Sequence, residues 1–295
     1  MPEIPRREWR EDRYGFLRWL VLPREGGREW WDRIYVDPEV KRRLRAHAGF
    51  CLQHRGEHSR VGLPIHGIVL LHGPPGTGKS SLARGLAQVV AEDLIESGAA
   101  EEVIFAEVDP HALPSQMLGE SQRNAINLLE KSLPELADKG HPVIVVIDEV
   151  NSLAMRRSMA AGGRDPVDVM RATEAVLRGI DYLAASVSNV YVIATSNFVA
   201  TIDEAMLDRL DLAVEFSLPG VDEIVDIVSD SLTEIPGHSL DPSEIAEVAK
   251  GLLGRSGRDI RKLIVEALIT RDVGPDQPLS KQDIVSVIER GATSN

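Results

Sequence analysis

Cysteine is nearly absent from this chain of 295 residues: Cys51 is the only one. A disulfide framework is excluded, and a reducing compartment is expected. No His or Cys cluster at metal-ligand spacing accompanies Cys51 along the sequence, so it reads as a small half-buried hydrophobe. Long apolar runs are also missing, since none approaches the roughly 20 residues that cross a bilayer. The first thirty residues mix Arg and Glu and lack the apolar core of a signal peptide, so a cytoplasmic protein with no membrane partner is expected. Excess basic charge is lacking as well. A formal net charge of -13 argues against nucleic acid as a direct partner. The charge is uneven: residues 1–60 carry 14 Lys+Arg against 10 Asp+Glu, leaving -17 for the remainder. Such a basic segment is either a solvated helix surface or a dock for an acidic protein face. Internal repeats and low-complexity tracts are absent.

What is present is a globular composition, 43% hydrophobic and 27% charged, on a chain long enough to bury a substantial core in two unequal units. The most informative stretch is LLHGPPGTGKSS. A short apolar strand, Ile68, Val69, Leu70 and Leu71, runs into Gly73, four further residues, then Gly78, Lys79 and Ser80, with a helix expected from Ser81. That is a P-loop between a strand and a helix. Gly73, Gly76 and Gly78, with Pro75 and Thr77 between them, allow successive N–H groups to converge on phosphate oxygens. The helix adds its positive end. Lys79 is expected on the β- and γ-phosphates of ATP, and the Ser80 hydroxyl on Mg²⁺.

Taken in order, residues 1–29 place Trp9, Arg13, Phe16, Leu17 and Leu20 at near-helical spacing, which predicts an amphipathic arm. WDRIYVDPEVKRRLRAH predicts a strand-like entry and then a basic helix to about Leu52, with Asp37 as N-cap and Pro38 at its first position. Strands are expected at residues 103–108, 143–148, 190–194 and 212–216, alternating with helices over 81–95, 121–133 and 166–183. Five consecutive aliphatics before Asp148 and Glu149 mark a strand buried on both faces. With the P-loop strand this predicts an α/β fold: a doubly wound, parallel, five-stranded sheet. From Pro219 the pattern is helical only, over about 222–232, 243–252, 258–270 and 281–290. The expected organisation is an arm at 1–29, a large nucleotide-binding domain at 30–218 and a small helical lid at 219–295.

A P-loop alone fits kinases, GTPases, transporter ATPases and motors. Asp148 at the end of a buried strand suits Mg²⁺ beside Ser80. Glu149, one position on, can polarise a water for attack on the γ-phosphate, which favours hydrolysis. Asn197, at the tip of another strand, is either a turn former or a neutral holder of that water. Arg209 either pairs with its flanking carboxylates or serves as an arginine finger for a neighbouring subunit. Arg258 opens a lid helix, where a cation is unfavourable for the helix dipole unless a ligand compensates.

GPPGTGKS, VIDE, TSN with a downstream DR, and SGR in a helical lid resemble the AAA+ ATPases. The stretch from IDEVNSLAMRRSMAAGGRDP to NVYVIATSNFVATIDEAMLDRLDLAVEFSLPG is similar to the pachytene-checkpoint branch, which remodels HORMA-domain proteins. The likeness covers about residues 30–270. It implies that Ile34 and Tyr35 line the adenine pocket through their backbone. By the same resemblance Asn197 is the first sensor, Arg209 the trans-acting finger and Arg258 the lid sensor. A homo-hexameric ring is implied, with Gln116, Met117, Leu118 and Gly119 in the central pore loop. Family members tend to carry an aromatic there; Met117 and Leu118 either grip substrate in its place or pack in a core. Only about 30 residues precede Trp31, too few for the substrate-adaptor domain of eukaryotic members. The compact form resembles bacterial members found with HORMA proteins and second-messenger synthases in antiphage defence. Another AAA+ unfoldase or loader, and a non-catalytic ATP-gated scaffold, are the alternative readings.

Overall fold

A computed structural model of the chain describes residues 16–58, 65–108, 120–138, 140–152, 166–235, 238–270 and 278–292. The chain divides into two compact units. The first takes in the described parts of residues 1–31, 39–73 and 79–215 and is built on one sheet. Its strands are β1 (Phe16–Leu22), β2 (Ile68–His72), β3 (Val103–Val108), β4 (Val143–Ile147), β5 (Val190–Ser196) and β6 (Leu212–Glu215). They lie in the order β1-β3-β4-β5-β2-β6, with β1 antiparallel to β3 and every other pairing parallel. Every residue of β3, β4 and β5 is buried, as expected of strands covered on both faces.

The sheet has one strand more than the sequence pattern predicts. Residues 16–22 were expected in a helix-spaced arm and instead form β1, pairing Trp19 with Ala106 and Leu20 with Phe105. FLRWLVL is rich in strand formers, and covering the edge of β3 satisfies backbone groups that a surface helix would leave unpaired there. The strand-like entry expected at Trp31 is likewise a helical turn, α1 (Glu29–Asp32), with Trp31 buried.

The crossover helices follow the sequence closely. They are α2 (Pro38–His58), α3 (Lys79–Glu96), α4 (Glu120–Asn127), α5 (Leu133–Ala137), α6 (Pro166–Ser186) and α7 (Glu204–Leu207). Leu128–Ser132 winds as a π-helical turn joining α4 to α5. Leu82, Leu86, Val89, Val90 and Leu94 of α3 are fully buried. Each contributes about 1.5–3 kcal/mol, so the helix carrying Lys79 and Ser80 is firmly seated. Cys51 is fully buried rather than half-buried, at 1% exposure.

The second unit takes in residues 32–38, 74–78 and the described parts of 216–295. Its helices are α8 (Val221–Thr233), α9 (Pro242–Gly251), α10 (Gly257–Thr270) and α11 (Lys281–Ala292). Ile224, Val228, Val248, Ile260, Ile264 and Ile284 recur at helical spacing and form its core. Asp241 caps α9 by accepting from the N–H groups of Ser243 and Glu244, and Glu244 closes the capping box. Among the described residues no helix is long and apolar enough to cross a membrane.

Candidate nucleotide-binding site

Within the first unit, the C-terminal ends of three adjacent strands carry one hydrogen-bonded chain of side chains. The Gly73 N–H, just past β2, donates to the Ser196 carbonyl at the end of β5 at 3.2 Å. Lys79, buried at the start of α3, donates from Nζ to the Gly73 carbonyl at 2.8 Å. The next residue, Ser80, donates to Asp148 Oδ1 at 2.8 Å. Thr195 donates to the same carboxylate oxygen through its hydroxyl, and that hydroxyl accepts from the Glu149 N–H at 3.2 Å. Asn197 Nδ2 donates to Glu149 Oε1 at 3.3 Å. Ser80, Asp148, Glu149 and Asn197 are therefore brought together, with Ser81 half-buried one residue along α3.

Glu149 is exposed and has φ of 53°, the only left-handed non-glycine residue among those described. Such a conformation costs on the order of 1–3 kcal/mol and persists where surrounding bonds hold it. Here the Glu149 N–H to Thr195 and the Asn197 amide on its carboxylate supply those bonds. Thr195 was not singled out from sequence, although it stands in the same TSN triplet as Asn197; its burial at 1% exposure is what reveals its role.

Arg209 is not part of this chain. It donates to Asp181 of α6 and, through Nη1, to the Ala205 carbonyl at 2.8 Å. The hydrogen bond with Asp181 raises the Arg209 pKa and lowers that of Asp181. Two residues on, the Asp211 N–H donates to Ile68, at the opposite end of β2 from Gly73. Asp211, two residues after Arg209, and Gly73 of the P-loop thus lie at opposite ends of β2.

The middle of the P-loop, Pro74–Gly78, belongs to the second unit. There the Arg258 N–H donates to the Gly76 carbonyl at 3.2 Å, while the Arg258 side chain is exposed. Gly76 has φ of 78°, and a Cβ on it would lie 2.4 Å from Ser256 Oγ. Gly78 has φ of 96°, and a Cβ there would lie 3.2 Å from the Ile34 side chain. Only glycine fits this cradle. Thr77 donates to the Pro74 carbonyl at 2.9 Å, and Pro75 is exposed. Ser256 is buried and donates to Asp259 at 2.7 Å. Tyr35 packs on the helical core, and burial raises its phenol pKa. The segment holding Ile34 and Tyr35 is braced by Asp230, which pairs with Arg33 at 3.1 Å and with Arg261 at 2.8 Å. This brace joins residues 228 positions apart in sequence, so no local motif announces it. Gln116, Met117, Leu118 and Gly119 lie outside the described residues.

The donor set suits a magnesium nucleotide. Ser80 and Asp148 present a hydroxyl and a carboxylate oxygen side by side, joined by a hydrogen bond of 2.8 Å, and both are the hard oxygen donors that Mg²⁺ takes. The buried ammonium of Lys79 sits on a P-loop carbonyl, where a phosphate oxygen is a stronger acceptor.

The family described as "ATPase family associated with various cellular activities (AAA)" matches residues 69–218, from the P-loop strand to just past β6. The chain belongs to this AAA ATPase family. Within the family, it is 40% identical to CD-NTase-associated protein 6 of Pseudomonas aeruginosa over 260 residues, covering 86% of this AAA chain and 84% of that protein. It is 34% identical over 216 residues to the human pachytene checkpoint protein 2 homolog, covering 73% of the chain but 49% of that longer relative. The chain spans about half the length of that pachytene-checkpoint relative. Among solved structures, a chain of an E. coli HORMA:CdnC:Trip13 complex superposes with a TM-score of 0.79 at 20% identity, over 93% of this chain and 95% of that one. C. elegans PCH-2 superposes with a TM-score of 0.75 at 23% identity, over 94% of this chain and 75% of that one. Both share the fold.

Proposed function

We propose that this AAA ATPase hydrolyses ATP with Mg²⁺ and uses the energy to engage and partly unfold a HORMA-domain protein, freeing it from a second-messenger synthase in antiphage defence. The observation that carries the hydrolytic reading is the chain Ser80–Asp148–Thr195–Glu149–Asn197. A kinase needs no base for water, whereas Glu149, positioned one residue past a metal ligand and held by Asn197, suits that task. The partner reading is supported by 40% identity to a CD-NTase-associated protein and by a neighbour solved with HORMA and CdnC.

Ser80 and Asp148 hold Mg²⁺, which when bound neutralises charge on the β- and γ-phosphates. Lys79 leaves the Gly73 carbonyl for phosphate oxygen. Glu149 accepts the proton of the attacking water, and the Asn197 amide orients both. Arg258, beside Gly76, reports the bound nucleotide, with Ile34 and Tyr35 at the adenine. Arg209 acts on a neighbouring subunit's nucleotide in a cytoplasmic homo-hexamer, and residues 116–119 grip the substrate in the pore. The domains are a large nucleotide-binding domain reaching to about residue 218, with β1 in its sheet in place of a separate arm at 1–29, and a lid at 219–295. The test is steady-state phosphate release with and without a HORMA protein and its synthase, alongside size-exclusion of that pair. ATP-dependent separation of the pair supports the proposal; hydrolysis that leaves the pair intact overturns the substrate assignment.

A further inference from the structure

Arg209 is carried on a short segment that the chain fixes at both ends. The helix before it, α7, is one turn long, too short to hold a side chain steady by its own helical bonds. At its start the Asp203 carboxylate caps α7 by accepting from the Ala205 N–H at 3.0 Å. Past its end the Arg209 and Leu210 N–H groups donate to the Met206 and Leu207 carbonyls at 3.2 and 3.1 Å. Asp211 then closes the segment. Its N–H donates to the Ile68 carbonyl at 3.0 Å, and its carboxylate accepts three successive backbone N–H groups of the chain entering β2. These are His66 at 2.8 Å, Gly67 at 2.6 Å and Ile68 at 3.1 Å.

We infer that Asp211 is the positioning residue for Arg209: by clamping the chain two residues further on to the start of β2, it fixes the backbone from which the guanidinium reaches a nucleotide. At rest Asp181 holds the Arg209 side chain. Once the guanidinium leaves Asp181 for phosphate, the backbone anchors decide where it goes. Four bonds between one residue and three consecutive ones fix position and orientation together. The strand that follows, β6, has four residues, ends the sheet and pairs there with β2, so the clamp also sets where that pairing begins.

The clamp closes on a rigid turn. Gly67 has φ of 77°, which lets successive N–H groups converge on one anion, and a Cβ on it would strike the Arg55 guanidinium. Arg55, 1% exposed, donates from α2 to the His66 and Val187 carbonyls and so holds the same turn from behind. A carboxylate is what these donors require. Three N–H groups meet two oxygens, and the Asp211 side chain is 8% exposed, so water is poorly placed to replace it. An asparagine there offers one acceptor and turns its NH₂ group toward a backbone N–H.

This role rests on Arg209 serving as the proposed finger, and a double-variant cycle separates the two. Steady-state phosphate release and fluorescent-nucleotide binding are measured on the full-length parent, Arg209→Ala, Asp211→Asn and the doubly substituted chain. Asp211→Asn is expected to lower kcat by about 10–100-fold, the scale of loss when a group is misplaced by about 1 Å, with nucleotide affinity unchanged. In the double variant the same substitution should add nothing, leaving a rate within about threefold of Arg209→Ala alone. A residue that merely supports the fold would lower the rate equally in both backgrounds. That additive result overturns the inference, as does parent-rate turnover or a loss of ATP affinity in folded Asp211→Asn. Arg209→Ala hydrolysing at the parent rate overturns the finger reading itself. Asp211→Glu, which keeps both acceptor oxygens one methylene further out, runs through the same cycle and decides the matter if circular dichroism shows the asparagine variant unfolded.

Discussion

Arg209 holds Asp181 by two parallel hydrogen bonds, Nε to Oδ1 at 2.7 Å and Nη2 to Oδ2 at 2.8 Å. A half-exposed pair of this kind contributes about 0.2–1 kcal/mol, little enough for a neighbour's nucleotide to outbid it. Arg209→Ala should therefore lower hydrolysis by roughly 10³-fold or more while leaving nucleotide affinity intact. Asp181→Ala should leave hydrolysis near or above the parent rate. Phosphate release and fluorescent-nucleotide binding on both variants check this, and a loss of ATP affinity in Arg209→Ala would place the residue in its own subunit's site.

Glu149 is expected to act as base for the attacking water. Glu149→Gln keeps the size of the side chain and the bond from Asn197 but cannot take a proton. Turnover should fall by about 10²–10⁴-fold, with ATP still bound. Parent-rate hydrolysis in this variant would refute the assignment.

Thr195 positions the Asp148 carboxylate and the Glu149 backbone, donating to the first and accepting from the N–H of the second. Thr195→Val orphans that N–H, at a cost of about 1–3 kcal/mol by denaturant melting. Hydrolysis should fall more than nucleotide affinity, and Thr195→Ser should restore both. A valine variant with unchanged turnover would show that the hydroxyl does no positioning.

Gly76→Ala should damage nucleotide binding. Its φ of 78° disfavours any side chain, and the added Cβ would meet Ser256 Oγ at 2.4 Å. Removing the clash with Ser256→Gly should not restore binding, because the backbone strain of about 1–2 kcal/mol remains. Isothermal titration with a non-hydrolysable ATP analogue measures both variants; full affinity in Gly76→Ala would contradict the cradle geometry.

Much of the fold was legible because its signals are contiguous. The P-loop, the aliphatic run before Asp148 and the helical spacing after Pro219 each encode structure within a few residues, where sterics and burial act locally. The same holds for the AAA family resemblance. β1 escaped notice because seven residues of mixed periodicity become a strand only when the edge of β3 is there to pair with.

A P-loop α/β protein resembling the AAA family, with a helical segment after it, is written into contiguous stretches of the chain, since those features depend on near neighbours. Tertiary structure alone decided that Thr195 bridges Asp148 and Glu149, that Arg209 rests on Asp181, and that Asp230 braces Arg33 and Arg261. It alone brings the Asp211 carboxylate to the N–H groups of His66, Gly67 and Ile68, about 145 positions earlier in the chain. Hydrogen bonds are set in space within a few ångströms, and sequence separation carries no record of them once the chain has crossed the sheet.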